Sequence, residues 1–79
     1  MGRGRFPSVK IAILLKVLER HCGPPVRTTG SHHFFKRPDG KRVMIAVHAK
    51  EMWGTHVRAL LVTDLGLSEE EALEEVGSR

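Results

Sequence analysis

A chain of 79 residues, 41% apolar and 28% charged, has the composition of one folded domain and not of a disordered tail. Its single cysteine, Cys22, excludes an internal disulfide framework and fits a reducing compartment, and no apolar run is long enough to cross a bilayer. The net charge of +4 is unevenly divided: residues 1–67 carry twelve Lys/Arg against four Asp/Glu, and residues 68–79 carry five Glu against Arg79. A basic body with an acidic end points to a polyanionic partner for the body.

The chain opens on a basic stretch, "MGRGRFPS". The apolar "IAILLKVL" that follows is short, is interrupted by Lys16 and lacks a small-residue cleavage site, so a signal peptide is not expected and a cytoplasmic protein is. Ser8 is placed to cap a helix over "VKIAILLKVLERHC", with Ile11, Leu14, Leu15 and Leu18 as its apolar stripe. Gly23, followed by Pro24 and Pro25, ends it, and a short extended segment from Val26 to Thr29 leads to Gly30. "SHHFFKR" and "KRVMIAVH" then flank "PDG", a hairpin turn in which Pro38 fixes φ and Gly40 is free to take a positive one. Along the second strand Val43, Ile45 and Val47 share one face, and Met44, Ala46 and His48 the other. The first face is uniformly β-branched and is the core candidate.

A second helix is predicted over "GTHVRALLVTDLG", capped by Thr55 and stopped by Gly66, with Val57, Leu60, Leu61 and Leu65 facing inward. Met52 and Trp53, just before its start, suit stacking on a base or packing as a staple on the helix, and packing is the favoured expectation. Ser68 with Glu71 three residues on has capping-box spacing and begins a short acidic helix, whose leading glutamates suit the helix dipole. The order is helix, two or three strands, helix, short helix. This is an α+β domain, an antiparallel sheet with helices packed on one face. Three segments follow: a basic extension at 1–8, a folded unit at 9–67 and an acidic helix and tail at 68–79.

The chemistry rests on five histidines. His32 and His33 are adjacent, so in a strand they point to opposite faces and cannot share a metal ion; Cys22 has no second thiol beside it, and no metal site or cofactor is expected. Ser31 lacks a nucleophile-elbow pattern. Acid–base work fits better, because an imidazole exchanges protons near neutral pH and Lys36, Arg37, Lys41 and Arg42 could hold a phosphate backbone. RNA supplies its own nucleophile in the 2′-hydroxyl. Against this stands a histidine pair that merely opens a strand. Arg37 suits bidentate phosphate contact or simple solubility.

At this point "GSHHFFKRPDGKRVMIAVHAKEM" resembles the Gly-Ser-His-His, Pro-Asp-Gly hairpin and histidine-ended strand of HicA-type toxins of bacterial toxin–antitoxin systems, and "WGTHVRALLVTDLGLSEEEAL" resembles the helix and acidic ending that follow in that family. The resemblance implies a double-stranded-RNA-binding-domain-like α-β-β-β-α fold. It also implies an endoribonuclease that cleaves messenger RNA and is neutralised by a HicB-type antitoxin, with the catalytic histidine within the segment matching Gly30–His33. His32 and His33 both remain candidates, with a slight lean to His32 because Lys36 shares its face. Ser31, Lys36, Arg37, Lys41, His48 and Lys50 are the expected RNA contacts. His48 ends the strand as a second acid–base group or, with the edge, a structural residue. The chain departs from the family at Ala46, where proline is common, at Pro24 and Pro25, and in its N-terminal stretch. The alternative reading is a non-catalytic RNA-binding module of the same fold, and a third is a protein-interaction domain docking through its acidic end.

Overall fold

The computed structural model describes residues 6–77, so most of the basic stretch at 1–8 lies outside the described residues. The elements are β1 (Val9–Lys10), α1 (Ile11–Cys22), β2 (Arg27–Thr29), β3 (His32–Lys36), β4 (Arg42–Ala46), β5 (Glu51–Met52), α2 (Gly54–Arg58) running on as a π-helical segment (Ala59–Asp64), and α3 (Glu69–Glu75). Strands β2, β3 and β4 form an antiparallel meander with helices on one face, the α-β-β-β-α arrangement of double-stranded-RNA-binding domains with a short extra helix at the end.

The start of α1 differs from the expectation. Ser8 does not cap it; Val9 and Lys10 are extended and pair antiparallel with Met52 and Glu51. The cause is non-local. Val9 is buried, and pairing its backbone with β5 lets the Ile11 N–H donate to the Lys50 carbonyl at 2.8 Å in place of a side-chain cap. The buried stripe of α1 is Ile11, Leu14, Val17 and Leu18, with Leu15 at its partly buried edge. Gly23 ends the helix at φ 80°, its N–H on the Glu19 carbonyl.

The hairpin forms as its sequence predicts. Phe35 faces Val43 and His33 faces Ile45, and Phe35, Val43 and Ile45 sink into the core with Leu14, Val17, Leu18, Val57 and Leu61. Strand β4 ends at Ala46, leaving Val47 only partly buried.

Helix α2 begins after Trp53, not Thr55, and no side chain caps it. Gly54 explains the entry. A Cβ on it would lie 2.1 Å from the Phe6 carbonyl oxygen, so only glycine lets the N-terminal segment cross this close. The helix then widens, with the Leu65 N–H on the Leu60 carbonyl five residues back at 2.8 Å. In α3 the capping box is complete: the Glu71 N–H donates to Ser68 Oγ and the Ser68 N–H to Glu71 Oε1, each at 3.1 Å. Ala72 and Leu73 join the common core.

Three side-chain pairs tie α3 down. Arg58 donates to Glu69 through Nε at 2.8 Å, and Glu75 accepts from Arg20 and, at 2.9 Å, pairs with His21 at the end of α1. The Arg20 hydrogen bond holds the Glu75 carboxyl below its ordinary range, more strongly than partial burial raises it. A carboxylate whose folded pKa is depressed contributes stability above its unfolded pKa and loses it as pH falls through the folded one. Thermal melts should therefore show Glu75→Gln less stable than wild type by up to about 1 kcal/mol at pH 7, with the gap closing as the solution is acidified through and below the carboxylate range.

Candidate active site on the open face of the sheet

Strand alternation and register assign each histidine a face. His33 shares the face of Phe35, Val43 and Ile45, the one that the helices cover. His32 is on the other face with Phe34, Lys36, Met44 and Ala46. That face is open: Met44 and Lys36 are exposed, and His32 is half-buried.

The sheet end is arranged to bring a second imidazole to His32. Opposite His32 stands Ala46, whose small side chain leaves space above it. His48 lies two residues further on, on the same face, and its ring meets that of His32 edge to face, with centroids 5.6 Å apart and planes at 86°. Gly30, at φ 56°, makes the tight turn into β3. The Val47 N–H donates to the Ser31 carbonyl at 2.8 Å, which fastens the two strand ends and fixes the spacing of the histidines. Ser31 thus holds the pair through its backbone.

The other expected contacts separate into two groups. Ser31, His32 and His48 gather at one end of the sheet, and Lys50 follows His48 by two residues, its carbonyl accepting from the Ile11 N–H. Lys36, Arg37 and Lys41 are at the hairpin tip, about 13 Å away along β3 at a strand's ordinary rise. Lys36 and Lys41 are exposed there. Arg37 is engaged within the chain: its guanidinium donates to Asp39 Oδ2 at 2.8 Å and to the Asp64 carbonyl at 3.1 Å, clamping the hairpin to the end of the π-helical segment. Asp39 also accepts from the Lys41 N–H, and Gly40 takes φ 94° in the turn. Near this clamp, burial pushes the Cys22 thiol above its ordinary pKa, Arg37 opposing and Asp39 adding, so Cys22 is a poor nucleophile.

Trp53 corrects the sequence reading. It does not pack as a staple but stands 72% exposed, while Met52 alone turns inward. It borders a cleft of about 310 Å³ that runs from His48 past Ala49 and Glu51 to His56. Neither Glu51 nor His56 stood out in the sequence. The one available signal was a tryptophan followed by glycine at a helix start, with a histidine three residues on. Among the described residues no three His, Cys, Asp or Glu side chains gather closely enough to hold a metal ion.

A family model described as the HicA toxin of bacterial toxin–antitoxin systems matches residues 12–67. The chain belongs to the HicA toxin family. Comparisons with curated proteins and with solved structures gave no significant match. The match to the HicA model runs from the first turn of α1 to the residues after the π-helical segment, and so covers both histidines of the open face, the hairpin clamp and all of the cleft lining but Ile11. As a HicA toxin, the chain is one half of a toxin–antitoxin pairing. Among the described residues no helix is long and apolar enough to cross a membrane.

Proposed function

We propose that this HicA toxin is an endoribonuclease that cleaves messenger RNA by histidine acid–base chemistry without a metal ion. The observation that carries the reading is the His32–His48 contact at 5.6 Å on the open, basic side of the sheet. One imidazole takes the proton of a ribose 2′-hydroxyl as its oxygen attacks the adjacent phosphorus. The other gives a proton to the departing 5′-oxygen, leaving a 2′,3′-cyclic phosphate and a 5′-hydroxyl. Lys50 balances the charge that develops on the phosphate, and Lys36 and Lys41 hold the flanking backbone from the hairpin tip. Arg37 contributes by keeping that tip in place. Residues 9–67 carry this machinery, and a HicB-type antitoxin silences it by covering the basic face, in the cytoplasm.

The experiment is cleavage of a mixed single-stranded RNA by the purified chain in EDTA, beside a His32→Ala, His33→Ala double variant. Cleavage by wild type that vanishes in the variant, with circular dichroism unchanged, is the expected result. RNA binding without cleavage by either protein would leave a non-catalytic RNA-binding module. Cleavage that EDTA abolishes would overturn the metal-free step.

A further inference from the structure

The cleft beside the histidine pair raises a question of its own. The chain has one tryptophan, and it stands 72% exposed at the cleft mouth as the residue preceding α2. Its backbone is well used, since its carbonyl accepts from the Val57 N–H at 2.8 Å, but its indole is left to water. The cleft floor below it is apolar, made by Ile11 and Met52. Glu51 also lines the cleft, and its carboxylate has no salt-bridge partner among the described residues although Lys10 stands opposite it across the β1–β5 ladder. His48 lines the cleft as well as contacting His32, so the cleft opens directly onto the proposed cleavage point.

Each feature calls for the same kind of ligand. An exposed aromatic plane over a small apolar floor is a stacking platform for a flat ring, and single-stranded RNA presents unstacked bases to such platforms. A volume of about 310 Å³ is at the small end for ligand pockets and suits one base in place of an extended segment. The exposed carboxylate of Glu51 repels phosphate and accepts hydrogen bonds, so it favours a ligand that presents donors. Among the four bases, guanine offers two adjacent donors on one edge, its N1–H and its exocyclic amine, which match the two oxygens of a carboxylate.

We propose that the cleft lined by His48, Glu51, Met52 and Trp53 is a base-binding subsite that receives a guanine next to the cleaved phosphodiester, stacked on Trp53 and read by Glu51. The inference rests on the ribonuclease reading for what lies beside the base, but the subsite can be measured without turnover.

The test uses intrinsic fluorescence. Trp53 is the only tryptophan and the chain has no tyrosine, so its emission reports this cleft alone. The full chain is titrated with uncleavable 2′-O-methyl trinucleotides that differ only in the middle base. Saturable quenching is expected with all four, with guanine bound at least about fivefold more tightly. Glu51→Gln should keep the quenching and lose the preference, and in a cleaving preparation its cut sites should lose their bias towards guanine. Equal affinity for the four bases, or no saturable quenching, overturns the subsite even where EDTA-resistant cleavage dependent on His32 shows the ribonuclease reading to be right. Guanine preference in a chain that does not cleave upholds the subsite and overturns the ribonuclease reading instead. If titration calorimetry shows that Trp53→Ala leaves trinucleotide affinity unchanged, the indole is not a stacking platform and the proposal falls.

Discussion

His32→Ala is expected to lower RNA cleavage by at least about a hundredfold, the usual contribution of a positioned acid–base group, with no change in the melting transition. His33→Ala should stay within a few-fold of wild type in activity and show its effect on stability, because its side chain lies on the face of Phe35 and Ile45. His48→Ala should fall with His32→Ala. A His32→Ala, His48→Ala double variant should cost little more than the worse single one, since groups that act as a unit are not additive. A bell-shaped pH dependence of kcat/KM in wild type should lose one limb in whichever single variant retains measurable activity. If His33→Ala is the inactive variant and His32→Ala is not, the chemistry is on the other face of β3 and the His32–His48 contact is structural. Single-turnover cleavage of one labelled RNA by the three variants distinguishes these cases.

Phe35→Ala should be the most destabilising single core substitution. Phe35 has no exposed surface, is the largest fully buried side chain, and fills the space between Val43 and the helices. Truncating a buried phenylalanine costs about 3–5 kcal/mol through lost burial and the cavity left behind. A domain of this length has a total stability on the order of 4–12 kcal/mol. The variant should then melt at least about 12 °C lower than wild type, or fail to fold at all. Phe34→Ala, one residue earlier on the open face, is the control: its drop in a thermal melt should be a small fraction of that for Phe35→Ala. Equal losses would mean that the sheet is covered on both faces.

What could be read from the sequence was what depends on near neighbours. The Pro38–Gly40 turn, the β-branched inward face of β4 and the Ser68–Glu71 capping box all lie within a few residues of one another, and all are found. Parity along β3 correctly put His32 and His33 on opposite sides. Which side was covered depends on where α1 and α2 come to rest, and no pattern within the strand carries that. Pairing of β1 with β5 joins residues some forty positions apart and displaced the expected Ser8 cap. The exposure of Trp53 follows from the same event, because once Met52 is drawn into β5 its neighbour is turned outward. The His32–His48 contact was only half visible: both residues were singled out, but their meeting needed the small Ala46 and the Ser31–Val47 hydrogen bond to be seen together.

The widened turn at Ala59–Asp64 has a bearing on how such a helix tolerates change in length. In a regular α-helix started at Gly54, Leu65 would sit off to the side of the stripe made by Val57, Leu60 and Leu61, and Asp64 would point nearer the core. Skipping one extra residue between the Leu60 carbonyl and the Leu65 N–H moves Leu65 onto the stripe and leaves the Asp64 carbonyl free to meet Arg37. The segment thus has the geometry of a one-residue insertion absorbed without shifting anything beyond it. A chain lacking Thr63, an exposed residue of that turn, could close into an ordinary α-helix with the same leucines facing inward. Length variation between relatives is therefore expected to fall here and not at the start of α2, where the crossing of Gly54 over Phe6 leaves no slack.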